Sequence, residues 1–449
     1  LLTIKESNNM PNEAWVVTVD MGYGHQRAAY PLRHLSPTGK VIIANNYEGI
    51  PKKDRAIWAS SQAFYEFFSR TKTWPLIGNW MFNKFIDNPQ RIYKFYPRRD
   101  LSKPNFQLSY NYRLIRAGWG KDLVDFFNKK NIPLITTFFA VAFFAEEHKF
   151  KNEIYCVVCD SDISRTWAPL NPAKSRIKYL APCRRVVERL KLYGVPEKNI
   201  FLTGFPLPEE NLGGKHLGTL KADLEERIVN LDPDRHYRQK YMGTVKQFLK
   251  GVKEDERHEH PLTLTFAVGG AGAQRALALT ILKSLRKKIL EKKINLNLVA
   301  GSRNDVYLYF KHQLSALGLE KNLGDNLKII FAVEKEDYFK LFNETLRTTD
   351  VLWTKPSELV FYTALGLPVI IASPLGSQED FNKVWLKTIG AGISQEDPRY
   401  VDEWLFDWLK SGWLAEAAMA GFLDGRQFGV SNMVDVVFNG KKDVIGDYK

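Results

Sequence analysis

Residues 263–275 read TLTFAVGGAGAQR, and the fold turns on how this stretch is understood. Leu262, Leu264, Phe266 and Val268 alternate with their neighbours as a strand does, and Gly269-Gly270-Ala271-Gly272 follows. Ala276, Leu277, Leu279, Ile281 and Leu282 then take up a helical spacing. Strand, glycine turn and helix in succession aim unpaired backbone N–H groups and a positive helix end at an anion, classically a phosphate. Glycine lets the backbone turn sharply and approach that ligand closely. The turn has neither GxGxxG spacing nor a P-loop lysine, so alone it suits an anion seat and a tight strand-to-helix turn alike. Similar arrangements at Gly22-Tyr23-Gly24-His25 and at Thr354-Lys355-Pro356-Ser357-Glu358 strengthen the first reading.

Outward from that stretch the chain alternates strand and helix. Residues 14–20 read as a buried strand with the 22–25 turn at its exit, residues 26–35 as a helix, and 41–45 as the next strand. Further strands are expected at 134–137, 154–159, 179–181 and 200–202, with a helix at 184–193. After a charged stretch, 206–261, strands resume at 262–268, 295–300, 327–331, 351–354 and 368–372. The pattern predicts an α/β protein of two doubly wound, Rossmann-like domains facing across a cleft. Residues 1–206 form the first domain, 207–395 the second, and the C-terminal helices of 396–449 cross back to the first. Residues 399–414, with Trp404, Leu405, Trp408, Leu409 and Trp413, read as one amphipathic helix.

A chain of 449 residues exceeds one ordinary core, in keeping with two domains. Cys156, Cys159 and Cys183 form no disulfide framework, and the CxxC pair lies in an apolar strand, where cysteine behaves as a small hydrophobe. A reducing, cytoplasmic setting is the expectation. No signal peptide is visible, though the first residue is not methionine, and the longest apolar run, 134–145, is too short to span a bilayer. The net charge of +14 suggests an acidic partner: a nucleotide phosphate, an anionic membrane surface or, least supported of the three, nucleic acid. No zinc finger or RNP signature speaks for nucleic acid. Between residues 60 and 121 the alternation fails, and aromatic and basic side chains crowd together. They suit a helical insert with a solvated face, a membrane-facing patch built on Phe67, Phe68, Trp74, Trp80, Phe82, Arg98 and Arg99, or, least of the three, a stacking surface for single-stranded nucleic acid.

Candidate chemistry gathers at strand ends. His25, at the mouth of a strand-to-helix turn, can act as base or orienting group, or be structural. Asp160 is a second base candidate, although a cap for the following turn is the simpler reading. In residues 354–358, proline, a hydroxyl and an acid are ordinary helix-start chemistry, while Ser357 and Glu358 can also hold a phosphate and a sugar hydroxyl. The polar loop 373–382 offers Gln378, Glu379 and Asn382. No metal-ligand spacing is present, and no cofactor is expected.

Taken in order, MGYGH, the 159–207 segment CDSDISRTWAPLNPAKSRIKYLAPCRRVVERLKLYGVPEKNIFLTGFPL, VGGAG, GSRN, the 354–368 stretch and the 374–382 loop resemble the lipid-acceptor glycosyltransferases of GT-B fold. That group comprises the monogalactosyldiacylglycerol and diglucosyldiacylglycerol synthases and the polyprenol N-acetylglucosaminyltransferase. The resemblance implies inverting, metal-independent transfer of a hexosyl unit from a UDP-sugar to a hydroxyl acceptor, typically a lipid, at the inner membrane face. It places His25 at the acceptor hydroxyl and Gly269, Gly270, Ala271 and Gly272 at the diphosphate. Arg303, Phe331 and Ala332 would then line the nucleobase pocket, and Ser357, Glu358, Gln378, Glu379 and Asn382 would hold the donor. The chain departs from the group where Ser357-Glu358 replace paired glycines, and where Tyr362-Thr363 stand in place of a ribose-binding glutamate. A UDP-sugar 2-epimerase and a non-catalytic sugar-nucleotide or membrane-binding protein are the alternatives.

Overall fold

Short β-branched and apolar runs between helices pair as parallel strands buried on both faces. The computed structural model describes residues 12–60, 91–255, 260–267, 274–374 and 377–441. The glycine turn carrying Gly269, Gly270, Ala271 and Gly272 lies outside the described residues, as do Phe67, Phe68, Trp74, Trp80 and Phe82.

The first sheet comprises β1 (Trp15–Thr18), β2 (Ile42–Ile43), β3 (Leu134–Thr136), β4 (Ile154–Val157), β5 (Lys178–Ala181) and β6 (Ile200–Leu202), in the order β2-β1-β3-β4-β5-β6. The second comprises β7 (Leu262–Ala267), β8 (Ile294–Gly301), β9 (Leu327–Phe331), β10 (Val351–Thr354), β11 (Val369–Ile371) and β12 (Gly392–Ser394), in the order β12-β11-β10-β7-β8-β9. Every pairing between these strands is parallel. Strand order reverses between β1 and β3 in one sheet and between β7 and β10 in the other, and ligands of such sheets bind beyond the carboxyl ends at these switch points. Two doubly wound, Rossmann-like domains facing across a cleft, the GT-B arrangement, are what this chain forms.

The charged stretch after β6 folds as helices Glu209–Leu212, Gly218–Asn230 and His236–Phe248, whose Leu212, Leu224, Ile228 and Val245 enter the core of the second domain. The expected single helix at 399–414 is two. Val401–Lys410 ends before Gly412, which takes φ 78°, and Trp413–Asp424 begins anew. Both pack on the second domain's core. The segment that crosses back is the last helix, Gly429–Phe438, whose Met433 and Val436 lie with Val16, Ile135 and Val157 of the first sheet. Its start is tight, because a Cβ on Gly429 would overlap the Phe205 carbonyl. Gly429→Ala is therefore expected to destabilise the protein by roughly 1–3 kcal/mol, the usual cost of overpacking. A melting temperature equal to the parent's would refute this.

Candidate functional site

Both switch points open onto one cavity of about 260 Å³ between the domains. On the first domain's side, β1 ends in a turn in which Gly22 takes φ 106°, a conformation suited to glycine, and helix Tyr23–Ala29 follows. Gly24 is needed for another reason: a Cβ there would stand 3.0 Å from Glu358 Oε2 of the opposite domain. The next residue, His25, reaches across the switch point, and its Nδ1 lies 2.8 Å from the carbonyl of Thr137, just past β3. A carbonyl only accepts, so Nδ1 carries the proton and Nε2 keeps its lone pair. Phe138 stands edge-on to the imidazole at 5.0 Å, and desolvation among such neighbours pulls its pKa down to about 4, so the ring is neutral at physiological pH.

Asp160 follows β4 and also lines the cavity. Its Oδ1 accepts from Asn382 Nδ2 at 3.0 Å, across the cleft, in place of the turn cap favoured from sequence. Burial raises its pKa to about 6; the charges of Glu358 and Glu379 add to the rise, while the Asn382 hydrogen bond and Lys355 oppose it.

The second domain's wall begins past β10. Lys355 donates to Glu379 Oε1 at 2.5 Å, and Ser357 precedes the 3₁₀ helix Glu358–Leu365. Glu358 is buried, its Oε1 2.5 Å from Arg27 Nη1 of the first domain. Arg27 also donates to the Tyr338 hydroxyl at 2.7 Å and sits among the rings of Tyr23, Tyr338, Phe339 and Phe342. Further ties join the domains: Tyr23 OH accepts from Ser302 N at 2.7 Å, and Lys335 pairs with Asp20 at 2.6 Å.

The cavity thus brings together His25, Asp160, Ser357, Glu358, Gln378 and Glu379. Asn382 lies just behind it, fully buried, with Oδ1 accepting from Ser161 N and Oγ and Nδ2 donating to Asp160 and the Pro356 carbonyl. Both ends of its amide are engaged by protein groups. Arg303, Phe331 and Ala332 are not in the cavity wall. Arg303 grips Asp305 through Nε and Nη2, Phe331 stacks on Tyr307 at 4.7 Å, and Ala332 N donates to the Gly301 carbonyl. Arg98 and Arg99 are exposed on the first domain, lying over the rings of Phe95 and Tyr93.

Arg27, Tyr338 and Lys355 line the cavity and were not singled out from sequence. Lys355 had a signal, its place directly after a strand in the 354–358 stretch. Arg27 and Tyr338 had none, because their partners lie more than three hundred residues away. Among the described residues, no group of three or more His, Cys, Asp or Glu side chains is arranged to hold a metal, and no helix is long and apolar enough to cross a membrane.

Residues 250–399 match a family described as a domain of unknown function, DUF6938. The chain is 39% identical over 85 residues to the processive diacylglycerol beta-glucosyltransferase of Bacillus subtilis (strain 168). That match covers 18% of this chain and spans only 20% of the relative's length. Among solved structures, MurG of Acinetobacter baumannii aligns with a TM-score of 0.39 at 16% identity, covering 74% of this chain and 78% of that one. The UDP-GlcNAc 2-epimerase of Neisseria meningitidis, bound to UDP-GlcNAc, aligns with a TM-score of 0.44 at 12% identity, covering 76% and 83%. The Bacillus subtilis relative is a lipid glycosyltransferase, the same group that the sequence motifs resemble.

Proposed function

We propose that the protein transfers a hexosyl unit from a UDP-sugar to a hydroxyl acceptor, with Asp160 as general base. The observation that carries the reading is the shared cavity, where a carboxylate with a pKa of about 6 faces the second domain's β10 switch point. A base is most effective when its pKa lies near the working pH, which favours Asp160 over His25. His25, with Nδ1 committed to Thr137, offers Nε2 as an acceptor that orients the incoming hydroxyl. The acceptor oxygen bonds to the anomeric carbon as the bond to the diphosphate breaks. The hydroxyl proton passes to Asp160, and the diphosphate leaves with the bonding pair. Lys355, ion-paired to Glu379, lines the donor side of the same cavity.

A lipid acceptor is supported by the described part of the aromatic-basic segment. There Tyr96 is 67% and Phe106 85% exposed, close in sequence to the exposed Arg98 and Arg99. Such a surface suits an anionic membrane, with aromatic side chains at the headgroup boundary and basic ones on the phosphates. The reaction would then run with the protein lying on the cytoplasmic membrane face.

One observation favours a second reading, a UDP-sugar epimerase: three carboxylates, Asp160, Glu358 and Glu379, line the cavity. Two of them are ion-paired, to Arg27 and Lys355, which leaves Asp160 as the better placed base and supports transfer. The test is UDP release from a panel of UDP-sugars, with and without liposomes containing anionic lipid and diacylglycerol. Release that requires the liposomes and yields a glycolipid is expected. Sugar epimerised with no acceptor present would replace the transferase reading with the epimerase, and no turnover of any sugar would defeat both.

A further inference from the structure

Asparagine inside a helix needs a reason. Its side chain competes with the helix for backbone hydrogen bonds, and burying it without partners is costly. Asn382 stands in the middle of helix Ser377–Thr388 and is fully buried. It follows Gln378 by four residues and Glu379 by three, so it shares their face of the helix, and both of those line the cavity.

The hydrogen bonds fix which way its amide lies. The Ser161 N–H can only donate and stands 2.8 Å from Oδ1, so the oxygen belongs at Ser161 and the nitrogen at Asp160. Ser161 Oγ adds a second bond to Oδ1 at 2.7 Å. Nδ2 donates to Asp160 Oδ1 at 3.0 Å and to the Pro356 carbonyl at 3.2 Å. Two bonds accepted by the oxygen and two donated by the nitrogen are all that an asparagine side chain makes, and none is left for a sugar or ribose hydroxyl. Three of the four go to the first domain's loop after β4 and one to the second domain's loop after β10. A single side chain of the second domain thus clasps the first where Asp160 stands.

We propose that Asn382 is a positioning residue for Asp160 and not a ligand of the donor: it holds the carboxylate that takes the acceptor's proton against the donor side of the cleft. That role rests on the transferase reading, whereas the grip on Asp160 does not. Burial drives the Asp160 carboxyl toward its neutral form, and the bond from Asn382 does most to oppose this, since an N–H donor favours the charged form. From the first domain His25, Arg27 and Cys159 share the cavity with Asp160, and from the second Lys355, Glu358 and Glu379. The substitutions that test the proposal leave all of these in place.

The experiment is a titration by nuclear magnetic resonance of the full chain, with aspartate labelled at the carboxyl carbon and asparagine at Nδ2. In the parent, the Asp160 signal, assigned by its loss in Asp160→Asn, should titrate near 6, and the Asn382 Nδ2 protons should shift with the same midpoint. In Asn382→Ala the Asp160 midpoint should rise, because the donor that favours the carboxylate is gone. Asn382→Asp keeps an oxygen for Ser161 but sets a second carboxylate against the first, so the pair should share one proton, with its upper step well above 6. This variant keeps the test decisive if the alanine variant fails to fold. With a UDP-sugar that the parent turns over, Asn382→Ala should lower kcat about tenfold or more and leave the donor KM within about twofold, the split expected of a misplaced base. The acid limb of its kcat/KM profile should rise together with the Asp160 midpoint. Asn382 protons that ignore the Asp160 titration, an unmoved Asp160 midpoint in either variant that folds, or a raised donor KM at unchanged kcat would overturn the proposal. A parent that turns over no sugar would defeat the transferase reading alone, and the titration would still decide whether Asn382 holds Asp160.

Discussion

Asp160→Asn is expected to lower turnover by about 10²–10⁴-fold, the usual worth of a positioned general base, while leaving the fold intact. The separation follows from the carboxylate's surroundings. Asparagine keeps an oxygen for Asn382 Nδ2 and loses only the ability to take a proton. Stability should not suffer at neutral pH. Burial, aided by Glu358 and Glu379, raises the pKa of Asp160 from 3.8 to about 6, so its ionised form is the costly one in the folded protein. Its contribution to stability is fully present below its unfolded value of 3.8 and is lost as pH rises through about 6, and asparagine escapes that loss. The same number sets the shape of the rate profile. If Asp160 takes the proton, kcat/KM should rise tenfold per pH unit up to about 6 and then level off. His25, lowered to about 4 by burial, would instead place that limb two units lower. An acid limb near pH 4, or an Asn variant within tenfold of the parent, would remove Asp160 from the chemistry.

These two pKa values also show where sequence reading stops. That His25 and Asp160 stand at the carboxyl ends of strands was legible, because apolar runs of strand length precede both. The strand order that makes those ends switch points was legible only as an expectation from the βαβ alternation. What no local pattern carries is the contact between halves of the chain. Asp160 meets Asn382 and Glu358 meets Arg27 across the cleft, and those meetings decide which carboxylate is poised and which is neutralised. β12 escaped notice because Gly392–Ser394 is a three-residue strand at a sheet edge, beginning in glycine and too short to show alternation. The break at Gly412 was hidden because Trp413 adds a third tryptophan after Trp404 and Trp408 and stands four residues beyond Leu409, in helical spacing with it. Trp413 is 54% exposed and starts a separate helix, whereas the other two are buried.

Arg27→Met is expected to destabilise the protein by roughly 3–5 kcal/mol, because it leaves the buried Glu358 carboxylate without its counter-ion. Arg27 is 3% and Glu358 8% exposed, so water cannot make good the loss. The pair spans the domains, and its removal should loosen the cleft as well as the fold, visible as a larger radius of gyration in small-angle scattering. Replacing both partners, as Arg27→Met with Glu358→Gln, should recover most of the stability, since the orphaned charge is gone and the aromatic cage of Tyr23, Tyr338, Phe339 and Phe342 still packs on an apolar side chain. The single variant also bears on the chemistry. The charge of Glu358 already helps raise the pKa of Asp160, and stripping away Arg27 exposes that charge more fully. Its acid limb should therefore move above pH 6, whereas the double variant's should fall below the parent's. A single variant as stable as the parent would mean that the Glu358 carboxylate finds another partner, and the ion pair would then not be what holds the two domains around the cavity.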